Sequence, residues 1–158
     1  MVFSGQKDEN GPTVCGKGSD RVLDTKFAPC GSRVCVVKVF SYENRSPRGI
    51  LQNPNFEQDV PFDNLTQLLF AMDELFDEIQ NPRRAMTPRD FVRESAQAKD
   101  MGGSMPGEEK PVATFRVDVM FRQNASWQGN MVWLDEKKEA QFRSALELVM
   151  MMDSALRA

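Results

Sequence analysis

The feature that most constrains this chain is a self-similarity at a fixed offset of 80 residues. Laid over itself without a gap, segment 34–78 falls into register with 114–158. Val37 and Val39 meet Val117 and Val119, and Asn44, Ser46 and Gly49 meet Asn124, Ser126 and Gly129. Phe62, Leu68, Met72 and Asp73 meet Phe142, Leu148, Met152 and Asp153. Chance gives roughly two or three identities in such a window, so a repeat is the first hypothesis for the fold unit.

Each copy reads as strand, strand, helix. VCVVKVFSY (34–42) is rich in β-branched and aromatic residues. In the second copy Phe115, Val117, Val119 and Phe121 alternate with Arg116, Asp118, Met120 and Arg122, the period-two pattern of a half-buried strand. ENRSPRG (43–49) and QNASWQG (123–129) are turns by composition. Return strands are expected near 49–53 and at 130–134. A helix over 61–79 follows from Phe62, Leu65, Leu68, Leu69, Met72, Leu75 and Phe76, with Pro61 in its first turn. The last helix is expected to start at Asp135, with Phe142, Ala145, Leu146, Leu148, Val149, Met152, Ala155 and Leu156 as its apolar stripe.

The expected class is therefore α+β. A tandem ββα repeat, 33–79 and 111–158, forms an antiparallel sheet of about four strands, with two helices on one face and an approximate two-fold axis. Residues 1–32 read as an irregular arm. Residues 80–110 read as a linker in which TPRDFVRESAQAK forms a short helix capped by Thr87.

The chain contains no histidine, which removes Ser-His-Asp and Cys-His catalysis and the commonest metal ligand. Cys15, Cys30 and Cys35 are too few and too widely spaced for a closed zinc site, and read as reduced thiols. No cofactor or metal is called for. The net charge of −3 does not support charge-driven binding of nucleic acid. There is no membrane-spanning apolar run and no signal-peptide pattern, so a cytoplasmic location is expected.

Four groups are candidates for recognition. The first is the repeated N-x-S-x-x-G at Asn44, Ser46, Gly49 and Asn124, Ser126, Gly129. It resembles half of the PilZ cyclic-dinucleotide signature, but the upstream R-x-x-x-R is missing from both copies, and turn chemistry accounts for the residues. The second is the sheet face turned away from the helices. Strict alternation puts Val36, Lys38, Phe40 and Tyr42 there, together with Arg116, Asp118, Met120 and Arg122. The third is Phe70 and Met150, apolar residues off the helix stripes at equivalent repeat positions. The turn residue Trp127 joins them as a candidate contact. The fourth is the linker cluster Arg83, Arg84, Arg89 and Arg93, with Asp73, Glu74, Asp77 and Glu78 as acidic counterpart.

FRQNASWQG, Trp133, FRSALEL and DSAL, with FSYENRSPRG and FDNLTQLLFAMDEL, resemble a family of short, functionally unassigned proteins of anaerobic Firmicutes. The resemblance implies a bacterial cytoplasmic protein and supplies no activity or ligand. The residues themselves suggest a non-enzymatic binding or adaptor protein with a protein partner. The alternative is a nucleic-acid-associated regulator or an inhibitor of a nucleic-acid-processing complex. An oligomer is compatible with either.

Overall fold

A computed structural model describes residues 32–91, 103–123 and 126–158. Of the irregular arm expected at 1–32, residues 1–31, with Cys15 and Cys30, lie outside the described residues, as do Asn124 and Arg93. The first half contains strands β1 (Val34–Glu43), β2 (Ser46–Gln52) and β3 (Val60–Phe62), then helix α1 (Leu65–Ile79). The second contains β4 (Ala113–Phe121), β5 (Gln128–Trp133) and β6 (Lys138–Phe142), then α2 (Ala145–Leu156). The class is α+β, and every strand pairing is antiparallel.

The sheet has six strands rather than four, in the order β3-β2-β1-β4-β5-β6. Each half is thus βββα. The extra strands are the two edges, and each brings one core residue, Phe62 or Phe142, to its end. That is too little periodicity to signal a strand. Both phenylalanines, expected on helices, face a glycine across the sheet: Gly49 pairs with Phe62 and Gly129 with Phe142. A Cβ on Gly49 would lie 2.0 Å from the Lys38 carbonyl oxygen and 2.9 Å from the Phe62 ring. On Gly129 it would lie 2.0 Å from the Asp118 carbonyl oxygen and 2.9 Å from Phe142. Only glycine leaves room for the aromatic ring.

The helices start later than expected because their caps come after these strands. Asn64 accepts from the Gln67 N–H at 2.9 Å, and Gln67 accepts from the Asp63 N–H at 2.7 Å. Ser144 accepts from the Glu147 N–H at 3.1 Å, and Glu147 accepts from the Arg143 N–H at 2.7 Å. Such reciprocal bonds satisfy amide groups that a helix start leaves orphaned. The linker helix expected from Thr87 does not start there. Residues 87–91 are irregular, and the rest of that segment lies outside the described residues.

Odd-numbered positions of the central strands, Cys35, Val37 and Val39 with Phe115, Val117 and Val119, are all buried. They share one core with Leu68, Met72, Leu75 and Phe76 of α1 and Leu148 and Met152 of α2. Both helices therefore lie on the same sheet face. Between β1 and β2 the chain turns through Asn44 and Arg45, at φ 51° and 59°. This is the left-handed geometry of a two-residue hairpin, and the asparagine suits it.

The alternation of the central strands breaks at two points. The β1–β2 register steps from Val39 to Ser41 while β2 advances one residue, and the β4–β5 register steps from Val119 to Phe121 in the same way. Each bulge inserts one residue and exchanges the faces beyond it. Tyr42 and Arg122, expected on the open face, therefore turn toward the helices.

Candidate functional site

Beyond the bulges the strand ends meet the helices of the opposite halves. The Arg122 side chain is only 3% exposed. Its guanidinium lies 3.1 Å from Asp73 and 2.7 Å from Asp77, both on α1. It also donates to the Pro82 carbonyl at 2.9 Å and sits 5.6 Å from the centre of the Phe76 ring. Arg84 closes the cluster at 2.7 Å from Asp77. Burial pushes the Asp77 carboxyl up, but hydrogen bonds from Arg84 and Arg122 outweigh it and hold the group below its ordinary value. Eighty residues earlier, Tyr42 donates its hydroxyl to Asp153 on α2. That bond holds the Asp153 carboxyl down, with Arg157 and Arg45 adding to the effect.

A groove opens beside each of these contacts. The first, of about 220 Å³, is lined by Leu69, Phe70, Asp73, Arg122, Trp127 and Ala145, with Arg84, Met86 and Pro88 along one side. The second, of about 240 Å³, is lined by Val149, Met150, Asp153, Tyr42, Pro47 and Leu65, with Leu146 and Leu156. The first six residues of each set correspond in order, 80 positions apart. In each groove one half supplies a helix, and the other half supplies a residue near the end of its first strand, one near the start of its second strand and the first residue of its own helix. Phe70 is 61% exposed and Met150 62%, so both project from the rims. Leu146 and Met86 are exposed as well.

The remaining candidates divide. Trp127 is buried, edge-on to Phe76 at 5.6 Å, so it is a core residue that lines the first groove without projecting from the surface. Arg84 is engaged by Asp73 and Asp77, while Arg83 and Arg89 are exposed. On the open face Arg116, Met120 and Phe121 are exposed, and Lys38 and Phe40 are half-buried. Val36 is buried, and Asp118 accepts from Arg33 at 2.6 Å. With Tyr42 and Arg122 turned inward, the platform of aromatic and arginine side chains expected there is reduced. Cys35 is a buried core thiol, pushed up to about 12 by burial.

The N-x-S-x-x-G residues act in packing and turns. Ser46 donates to the Asp63 carbonyl at 3.2 Å, and Ser126 accepts from the Ala145 N–H at 3.3 Å. Each ties a hairpin to the start of a helix. Sequence reasoning missed the pairing of Tyr42 with Asp153 and of Arg122 with Asp73. The signal was the repeated aspartate, but strict alternation pointed the two strand residues the wrong way.

Among the described residues no group of three or more Cys, Asp or Glu side chains is placed to hold a metal ion. No helix among them is long and apolar enough to cross a membrane. The chain matches no family model, no curated protein and no solved structure.

Proposed function

We propose that this chain is a non-enzymatic recognition protein that docks a protein partner on the outer side of its two helices, across an approximate internal two-fold. The observation that carries this reading is the pair Phe70 and Met150. Both are large apolar side chains, more than half exposed, at the rims of two corresponding grooves. One such residue on a surface needs no explanation, but two at matching positions beside apolar grooves support a contact surface. Met150 adds an adaptable side chain suited to contact with a partner. Internal ion pairs already engage Asp73 and Asp77 at the first groove and Asp153 at the second, which suits a docking surface better than a reacting centre.

The proposed setting is the cytoplasm. The second reading, an inhibitor of a nucleic-acid-processing complex, draws on the acidic outer face of α1, which suits a basic groove on another protein. Affinity capture from the source cells, with and without nuclease, tests the docking reading. A nuclease-resistant protein held by the wild type and released by F70S/M150S is expected. Retention of the same protein by the double variant would count against it.

A further inference from the structure

The outer face of α1 carries information about the partner's chemistry. Thr66, Phe70, Glu74 and Glu78 follow one another at intervals of four and are all exposed. They form one stripe along the helix. α1 contains no basic residue, yet its last two turns hold Asp73, Glu74, Asp77 and Glu78. Carboxylates at a helix C-terminus face the negative end of its dipole and repel one another. Asp73 and Asp77 are compensated by Arg84 and Arg122. Glu74 and Glu78 have no ion-pair partner among the described residues.

The second helix indicates that the fold does not require these charges. Eighty residues on, Glu74 corresponds to Ser154 and Glu78 to Ala158. The packing positions Leu68 and Met72 recur as Leu148 and Met152, while the exposed carboxylates do not recur. Phe70 with Glu74 and Glu78 is therefore an apolar anchor beside a negative rim, an arrangement that fits an apolar surface with complementary charge around it. We infer that the partner is a protein whose binding surface is an apolar face edged by lysine or arginine, as on an amphipathic basic helix. Phe70 packs on the apolar face while Glu74 and Glu78 meet the basic edge. The inference rests on the docking reading and adds the sign of the partner's charge.

The test uses the full chain and two synthetic amphipathic helical peptides of equal length, one of leucine and lysine and one of leucine and glutamate. Fluorescence anisotropy gives the affinities, and thermal melts verify that each variant folds. The lysine peptide is expected to bind at least about tenfold more tightly than the glutamate peptide. F70S is expected to weaken it by a similar factor, and E74Q/E78Q to weaken it and flatten its salt dependence. E74K/E78K should reverse the preference.

If both peptides bind alike and F70S abolishes both, the docking face stands and the basic partner is overturned. Lysine-peptide binding that F70S leaves unchanged is unanchored charge attraction and also overturns the inference. Binding of neither peptide at millimolar concentration overturns both readings. A dimer of the free chain that F70S dissolves makes a second copy the occupant and overturns the basic partner.

Discussion

Arg122 at the end of β4 reaches Asp73 on α1 at 3.1 Å, so a strand of the second half is tied to the helix of the first. Tyr42 at the end of β1 makes the converse link to Asp153 on α2. The two halves are fastened crosswise, and the fastening residues line the walls of the grooves.

These links differ in weight. Arg122 is buried, and its loss leaves Asp73, Asp77 and the Pro82 carbonyl short of a donor. R122A is expected to lower the unfolding free energy by about 2–4 kcal/mol, the lower end reflecting compensation by Arg84. Y42F removes one hydroxyl at a wetter site and is expected to cost about 1 kcal/mol or less. Urea denaturation of the two variants measures both.

Gly49 and Gly129 are expected to be equally intolerant. Alanine at either would place a methyl 2.0 Å from a backbone carbonyl oxygen of the neighbouring strand, which a side-chain rotation cannot relieve. G49A and G129A should each destabilise by more than about 2 kcal/mol. A cost at only one of them would mean that the two edge strands are not held in the same way.

Stability is expected to fall in acid. The hydrogen bond from the Arg143 side chain holds the Glu147 carboxyl at about 2, against an ordinary 4.5. The folded state therefore binds this proton less readily than the unfolded chain does. The stabilisation is complete above about 4.5 and is lost as pH falls toward 2. Asp77 and Asp153, held down by their own partners, act in the same direction. Thermal midpoints measured from pH 6 down to about pH 2 should drop less steeply in E147Q. Salt should shrink the contribution of Glu147, because the pair is exposed.

Phe70 and Met150 should matter little to folding. Both project into solvent, so F70S and M150S are expected to change stability by no more than about 0.5 kcal/mol. L68A, two residues away on the buried face, should cost about 2–5 kcal/mol. Thermal denaturation of the three variants separates a surface held for recognition from one held for packing.

Much of the core was legible in the sequence because alternation and helical spacing both report burial. Val37, Val39, Phe115, Val117 and Val119 declare the inner face of the sheet, and Leu68, Met72, Leu148 and Met152 declare the helices. The edge strands were not legible, since KEAQF in β6 is exposed up to its last residue and reads as polar helix. The bulges were also hidden. No residue type marks Phe40 or Met120 as inserted, yet each insertion moves the next residues to the other face. This misplaced Tyr42 and Arg122. Phe70 and Met150 stood out in the sequence because they lie off the helix stripes 80 positions apart, and both are exposed.

The most direct test of the docking reading is hydrogen exchange on the chain with its captured partner bound. Protection is expected in α1 and α2 around Phe70 and Met150, with the amides of β4 and β5 unchanged. Protection centred instead on the open sheet face around Arg116, Met120 and Phe121, with the helices exchanging as in the free chain, would contradict it.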